Sequence, residues 1–143
     1  MTLYRDPRDL VAPAVLCVGE RHHVTLARSE ARRLAVTAGL GEPAAWAVAI
    51  AVSELAQNIV QHANGPGTVT VRPIRDRARQ GLEIVVEDHG PGIADVARAL
   101  EDDFSTAGGL GSGLPAARRL MDEFEIVSEP GKGTRVTARK WRR

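Results

Sequence analysis

Between Val24 and Ala63 the apolar residues return every three or four positions, and from Thr68 to Glu87 they alternate. This change of period limits the fold more than any single motif does, because a helical stripe cannot serve as a strand face. The helical stretch is broken once, around Gly39 to Pro43, and so predicts two consecutive helices. The first runs from about Val24 to Ala38 with Gly39 as its stop. Gly41-Glu42-Pro43 opens the second, proline sitting in the first turn where its missing N–H does no harm. That helix runs to about Ala63, with Val48, Val52, Leu55 and Ile59 as its buried stripe.

The remaining segments follow from the same rules. Thr68 to Ile74 and Leu82 to Glu87 read as strands joined by a charged turn, Arg77 to Gly81. Leu10 to Val18 is short, apolar and β-branched, a strand that Pro13 steers to a sheet edge. A short helical piece is expected near Ala94 to Leu100 and a longer helix from about Leu114 to Phe124. A closing hairpin pairs Glu125 to Ser128 with Thr134 to Trp141 across Pro130-Gly131-Lys132-Gly133. Strands at both ends and in the middle, with three longer helices between, predict a two-layer α/β sandwich: a mixed sheet covered by helices on one face. With 143 residues, 43% of them hydrophobic, and no repeat or long linker, one domain over 1–143 is expected.

Charge and composition narrow the function. Lysine and arginine number 19 against 18 acidic residues, a net charge of +1, which argues against a nucleic-acid or membrane-surface protein. Arg139-Lys140-Trp141-Arg142-Arg143 then reads as a solvated basic tail. The single cysteine, Cys17, excludes an intramolecular disulfide and a multi-cysteine zinc site. MTLYRDPRDL has charges where a signal peptide needs an apolar run, and no stretch approaches the roughly 20 apolar residues of a membrane span. A soluble cytoplasmic protein is expected.

Three short motifs carry the chemistry. In Glu54-Leu-Ala-Gln-Asn58-Ile-Val-Gln-His62 a spacing of four places Glu54, Asn58 and His62 on one helical face, each about 6 Å further along the axis. A carboxylate and an amide oxygen so stacked can face a magnesium–phosphate group, and the carboxylate can accept a proton. The same spacing is also that of an ordinary polar helix face, and zinc lacks a second strong ligand here. In Asp88-His-Gly90-Pro-Gly92, after an apolar strand, the aspartate can accept from an exocyclic amine such as that of adenine, while Gly90 and Gly92 allow close approach to a flat ring. A plain Asp/Gly/Pro turn has the same composition. In Gly109-Leu-Gly111-Ser-Gly113-Leu114 glycines open a helix N-terminus, a site for phosphate or else a hinge. It lacks the spacing of a dinucleotide fingerprint, and Gly131-Lys132-Gly133 lacks the hydroxyl residue that follows the lysine of a phosphate loop.

In this order, and with Gly131-Lys132-Gly133-Thr134 near the end, the motifs resemble the GHKL ATPase superfamily of gyrase, Hsp90, histidine kinases and MutL. The resemblance spans roughly Val24 to Trp141. The wording of Asp88 to Asp95, Phe104-Ser-Thr, Gly113 to Ile126 and Glu129 to Thr134 is similar to the anti-sigma-factor-type serine/threonine kinases, above all the switch kinases of bacterial stressosomes. That resemblance implies the Bergerat ATP-binding fold. It implies that Asn58 coordinates magnesium, that Glu54 orients or deprotonates the attacking hydroxyl, and that Asp88 binds the adenine amine with help from Thr134 through an ordered water. It implies that the amides of Gly109, Gly111 and Gly113 hold the phosphates of ATP under a lid from Ile93 to Gly108. His62 matches a position often filled by histidine and would orient rather than react; Ser112 stands where an aliphatic residue is usual.

Such kinases transfer the γ-phosphoryl group of ATP to a serine or threonine of a STAS-domain protein; some bind a sigma factor or activate a PP2C-type phosphatase, and the sigma-binding kind often form homodimers. A nucleotide-gated binding module that sequesters a sigma factor, or switches on a phosphatase, is the rival to a kinase. Retention of Glu54 favours the kinase, since binding alone needs no base.

Overall fold

A computed structural model describes residues 13–101 and 113–143. Along the chain these form β1 (Ala14–Val18), α1 (Arg21–Thr37), α2 (Glu42–His62), β2 (Gly67–Asp76), β3 (Arg79–Asp88), α3 (Val96–Ala99), α4 (Gly113–Leu120), β4 (Glu123–Glu129) and β5 (Gly133–Trp141). The strands make one sheet in the order β1-β2-β3-β5-β4, with β1 at an edge as Pro13 suggests. Every neighbouring pair is antiparallel, so the sheet is not the mixed one expected. Two helices, not one, separate β1 from β2, and an even number of passes returns the chain antiparallel. The crossover from β3 to β4 does leave those strands running the same way, but β5 turns back and inserts between them.

Alternation then decides the layers. Val69, Val71, Ile84, Val86, Val136 and Ala138 point to one face and are buried there. Against them lies α2, whose Val48, Val52, Leu55 and Ile59 are all at most 2% exposed, with Ala45, Ala49, Ala51 and Ala56 letting α1 and the sheet approach closely. Burying each of the larger side chains stabilises the fold by about 1.5–3 kcal/mol. By length and composition alone, α2 would also suffice to cross a membrane, counter to the expectation that no stretch comes near a span. In this fold its apolar stripe is covered by protein instead.

Boundaries moved where side chains or pairing intervene. α1 starts three residues early because the Nδ1 of His23 accepts the N–H groups of Gly19 and Glu20 at 3.0 and 3.1 Å, capping the first turn. The β2–β3 turn tightens to Arg77 and Ala78, Arg77 taking φ +53°. Phe124 belongs to β4 rather than to the preceding helix: it pairs with Ala138, and its ring joins the core beside Ile126.

The C-terminal basic run is a solvated tail only at Arg142 and Arg143. Arg139 to Trp141 complete β5, Lys140 Nζ donates to the carbonyl of Leu120 at 2.8 Å, and Arg143 pairs with Asp122 at 2.7 Å. Trp141 is 8% exposed. Arg139 and Lys140 are thus tied into the sheet, while the guanidinium of Arg143 pairs at its margin and stays 80% exposed.

Candidate functional site

At one end of the helix-covered face the apolar columns give way to polar residues. Val86 pairs with Val136, and Val136 with Ile126; two residues along, Asp88 pairs with Thr134, and Thr134 with Ser128. Because side chains alternate, this polar row points the same way as the core above it. A cleft opens beside the row. Its apolar walls include Leu55, Ile59, Val86, Ile93, Leu114 and Val136, and its polar groups are Asn58, His62, Asp88 and Thr134.

From the other side α2 supplies Asn58 and His62, one turn apart. The Nδ2 of Asn58 and the Nε2 of His62 are buried without a hydrogen-bond partner among the described residues. Each orphaned polar atom costs about 1–3 kcal/mol. Such a cost is recovered when a polar ligand or ordered water fills the cleft, so the donor set fits a phosphate-bearing ligand and a hard cation held by the Asn58 amide oxygen. Glu54, one turn before Asn58, is half-buried and does not line the cleft; it lies against the start of α4. A Cβ at Gly113 would come within 2.8 Å of Glu54 Oε2 and 3.2 Å of the Glu54 backbone oxygen, so a larger residue there would have to move the Glu54 side chain and ease the two helices apart. Gly113 therefore has a packing role that the motif reading does not assign.

The floor of the cleft is the turn after β3. Asp88 Oδ1 accepts the N–H of Gly90 at 2.9 Å, an Asx turn that fixes the carboxylate. Gly92 has φ +76°, and a Cβ there would stand 2.1 Å from the carbonyl of Glu129. That contact locks the turn to the β4–β5 hairpin, as does the bond from Gly131 N–H to the Pro91 carbonyl at 2.7 Å. Ser128, which the sequence motifs do not single out, also joins them: its Oγ is 2.8 Å from Ile93 N, 2.9 Å from Gly133 O and 2.8 Å from Thr134 Oγ1. Its signal was its phase, since Phe124, Ile126 and Ser128 alternate inward along β4.

The structure thus brings Asn58, His62, Asp88, Gly92 and Thr134 to one cleft, with Gly90 behind Asp88 and with Glu54 and Gly113 beside it. Gly109, Gly111 and the lid segment 102–108 lie outside the described residues. Glu20, His22 and His23 also gather their ligand atoms within 4.8 Å of one another at the start of α1, apart from the residues lining the cleft, but His23 Nδ1 is committed to the backbone.

The chain is similar to known proteins. A sequence profile described as the histidine kinase-like ATPase domain matches residues 18–140. The serine/threonine-protein kinase RsbT of Bacillus subtilis is 45% identical over 120 residues, 84% of this chain and 90% of that protein. The anti-sigma F factor of Caldanaerobacter subterraneus subsp. tengcongensis is 36% identical over 96 residues, covering 64% of this chain and 66% of its own length. The solved mycobacterial sensor histidine kinase MprB superposes with a TM-score of 0.55 at 18% identity, over 90% of this chain and 97% of that one, which is a likeness of fold.

Proposed function

The chain belongs to the histidine kinase-like ATPase family, and from that membership we propose that it is a protein serine/threonine kinase that takes the γ-phosphoryl group of ATP and transfers it to a STAS-domain protein in a partner-switching pathway. The observation that carries the reading is the cleft, with two unpartnered polar atoms of α2 on one wall and the Asp88–Thr134 row on the other. A 45% identical serine/threonine kinase supports the reaction class.

Phosphoryl transfer asks for position and charge neutralisation more than for a reactive side chain. Asp88 accepts from the adenine amine, and Thr134 assists. The amide oxygen of Asn58 holds magnesium, which when bound neutralises phosphate charge. Glu54 orients the substrate hydroxyl and takes its proton as the hydroxyl oxygen bonds to the γ-phosphorus and the bond to the β-phosphate oxygen breaks, leaving ADP and a phosphoserine or phosphothreonine. His62, whose Nε2 has no partner among the described residues, orients polyphosphate or water. The motif of Gly109, Gly111 and Gly113 would supply backbone amides to the phosphates.

A second reading is supported by the 36% identical anti-sigma F factor: the nucleotide-loaded chain also holds a sigma factor, or activates a PP2C-type phosphatase, in a manner that needs no transfer. One experiment separates the two. Candidate STAS proteins are incubated with the chain and magnesium-ATP and weighed intact; addition of one phosphoryl group is expected. No addition to any of them, with ATP demonstrably bound and a sigma factor or phosphatase retained by the chain, replaces the kinase reading with the binding one.

A further inference from the structure

Thr134 faces the cleft with a hydroxyl that could in principle donate or accept, and the choice is set by a residue outside the cleft. Ser128 Oγ carries one hydrogen and two lone pairs. It has three neighbours at hydrogen-bond distance: Ile93 N at 2.8 Å, Gly133 O at 2.9 Å and Thr134 Oγ1 at 2.8 Å. The Ile93 amide can only donate, so it occupies one lone pair. The Gly133 carbonyl can only accept, so it takes the serine hydrogen; were that hydrogen turned elsewhere, two oxygens would face each other at 2.9 Å with nothing between them. What remains is one lone pair, and Thr134 must give its own hydrogen to it.

We infer that Ser128 is a positioning residue for base recognition: by drawing the Thr134 hydrogen out of the cleft it leaves the side chains of Thr134 and Asp88 both as acceptors at that end, which selects a 6-amino purine over a 6-oxo purine. The other polar group there agrees. Asp88 is a carboxylate, an acceptor, with one oxygen already held by Gly90 N–H. An amino group at the purine 6-position, or a water donating for it, finds acceptors on both sides; a 6-oxo group finds a third oxygen opposite the Thr134 lone pairs. Ser128 does not line the cleft and touches no part of the base, so its action passes through Thr134. The inference rests on the proposal that the cleft binds a purine nucleotide.

The test is calorimetric affinity for ADP and for IDP, which differ at the 6-position, in the presence of magnesium. Wild type is expected to prefer ADP. In Ser128→Ala the Thr134 hydroxyl is free to turn and donate, and the ADP:IDP ratio should fall by about three- to tenfold, the worth of one neutral hydrogen bond. Ser128→Thr, which keeps the hydroxyl, should restore the ratio. In a Thr134→Val background, Ser128→Ala should leave the ratio unchanged. Circular dichroism checks folding, and Ser128→Cys, close in shape and weak in hydrogen bonding, substitutes for an alanine variant that does not fold. If Ser128→Ala weakens both nucleotides equally, or changes the ratio as much without Thr134 as with it, Ser128 is merely structural and the inference fails while nucleotide binding stands. If wild type binds neither nucleotide, the functional reading itself falls, and this inference with it.

Discussion

On the open face of the sheet, Glu83 stands between Arg72 on one neighbouring strand and Arg139 on the other, at 2.7 and 2.9 Å, and Arg139 reaches on to Glu123 at 3.3 Å. On the helix-covered face, at the end of the same strands, Asp88 and Thr134 look across a cleft at Asn58 and His62, and two polar atoms there have no partner among the described residues. Both clusters are built by the same device, polar residues in register across β3 and β5. In the first, each carboxylate oxygen of Glu83, itself only 4% exposed, has its own guanidinium. Burial would raise the Glu83 carboxyl, but hydrogen bonds from Arg72 and Arg139 and their charges outweigh it and hold the pKa below its ordinary value. A polar cluster that closes on itself serves the fold; one left open keeps its hydrogen-bonding capacity for something else.

That contrast can be broken from the open side first. Glu54→Ala should lower the rate of phosphoryl transfer by about a hundredfold or more, the usual worth of a general base, while nucleotide affinity measured by calorimetry stays near wild type. Transfer at an undiminished rate would remove Glu54 from the chemistry. Asn58→Ala should weaken magnesium–nucleotide binding by about tenfold or more, since it deletes a buried donor and the proposed cation ligand; an unchanged affinity would mean that its unpartnered amide awaits nothing. Asp88→Asn exchanges an acceptor-only group for one that also donates, so the preference for ATP over GTP should narrow by about tenfold in competition binding.

The closed side gives the smallest effect and the sharpest control. Glu83→Gln should cost about 1 kcal/mol of stability in urea unfolding, discounted because Arg72 and Arg139 are 55% and 41% exposed and well screened, and should leave nucleotide affinity alone. The sign of its pH dependence follows from the depressed pKa. The carboxylate stabilises the fold above its ordinary value of 4.5, and that contribution is lost as pH falls through the lower folded value. Wild type should therefore lose stability below about pH 4.5 more steeply than Glu83→Gln. Asp122, lowered against its burial by the Trp141 N–H and by Arg143 and Lys140, keeps some slope in both. Equal slopes would show that the Glu83 cluster carries no pH-linked stability.

Much of this was readable along the chain because it is local. The helical stripe of Val48, Val52, Leu55 and Ile59, the strands around Val69 and Ile84, and the spacing that stacks Glu54, Asn58 and His62 all depend on neighbours within a few residues. The end of the helix before β4 was not readable that way: helical and extended phases both suit Leu120 to Phe124, and pairing of Phe124 with Ala138 chose between them. Nor was the fate of the basic C-terminus, since the partners of Arg139 and Arg143 lie at Glu83 and Asp122, far back in the chain.

By itself, then, the order of residues determined which segments are helical and which extended, which faces are apolar, and which short motifs carry hard oxygen ligands, acceptors and close-approach glycines. Only the tertiary structure decided that β5 inserts between β3 and β4, making the sheet antiparallel and bringing Thr134 and Ser128 beside Asp88. It alone left Asn58 Nδ2 and His62 Nε2 without partners among the described residues while giving Glu83 two. The physical reason is that periodicity is a property of adjacent residues, whereas the satisfaction of a buried polar atom depends on what the rest of the chain folds against it.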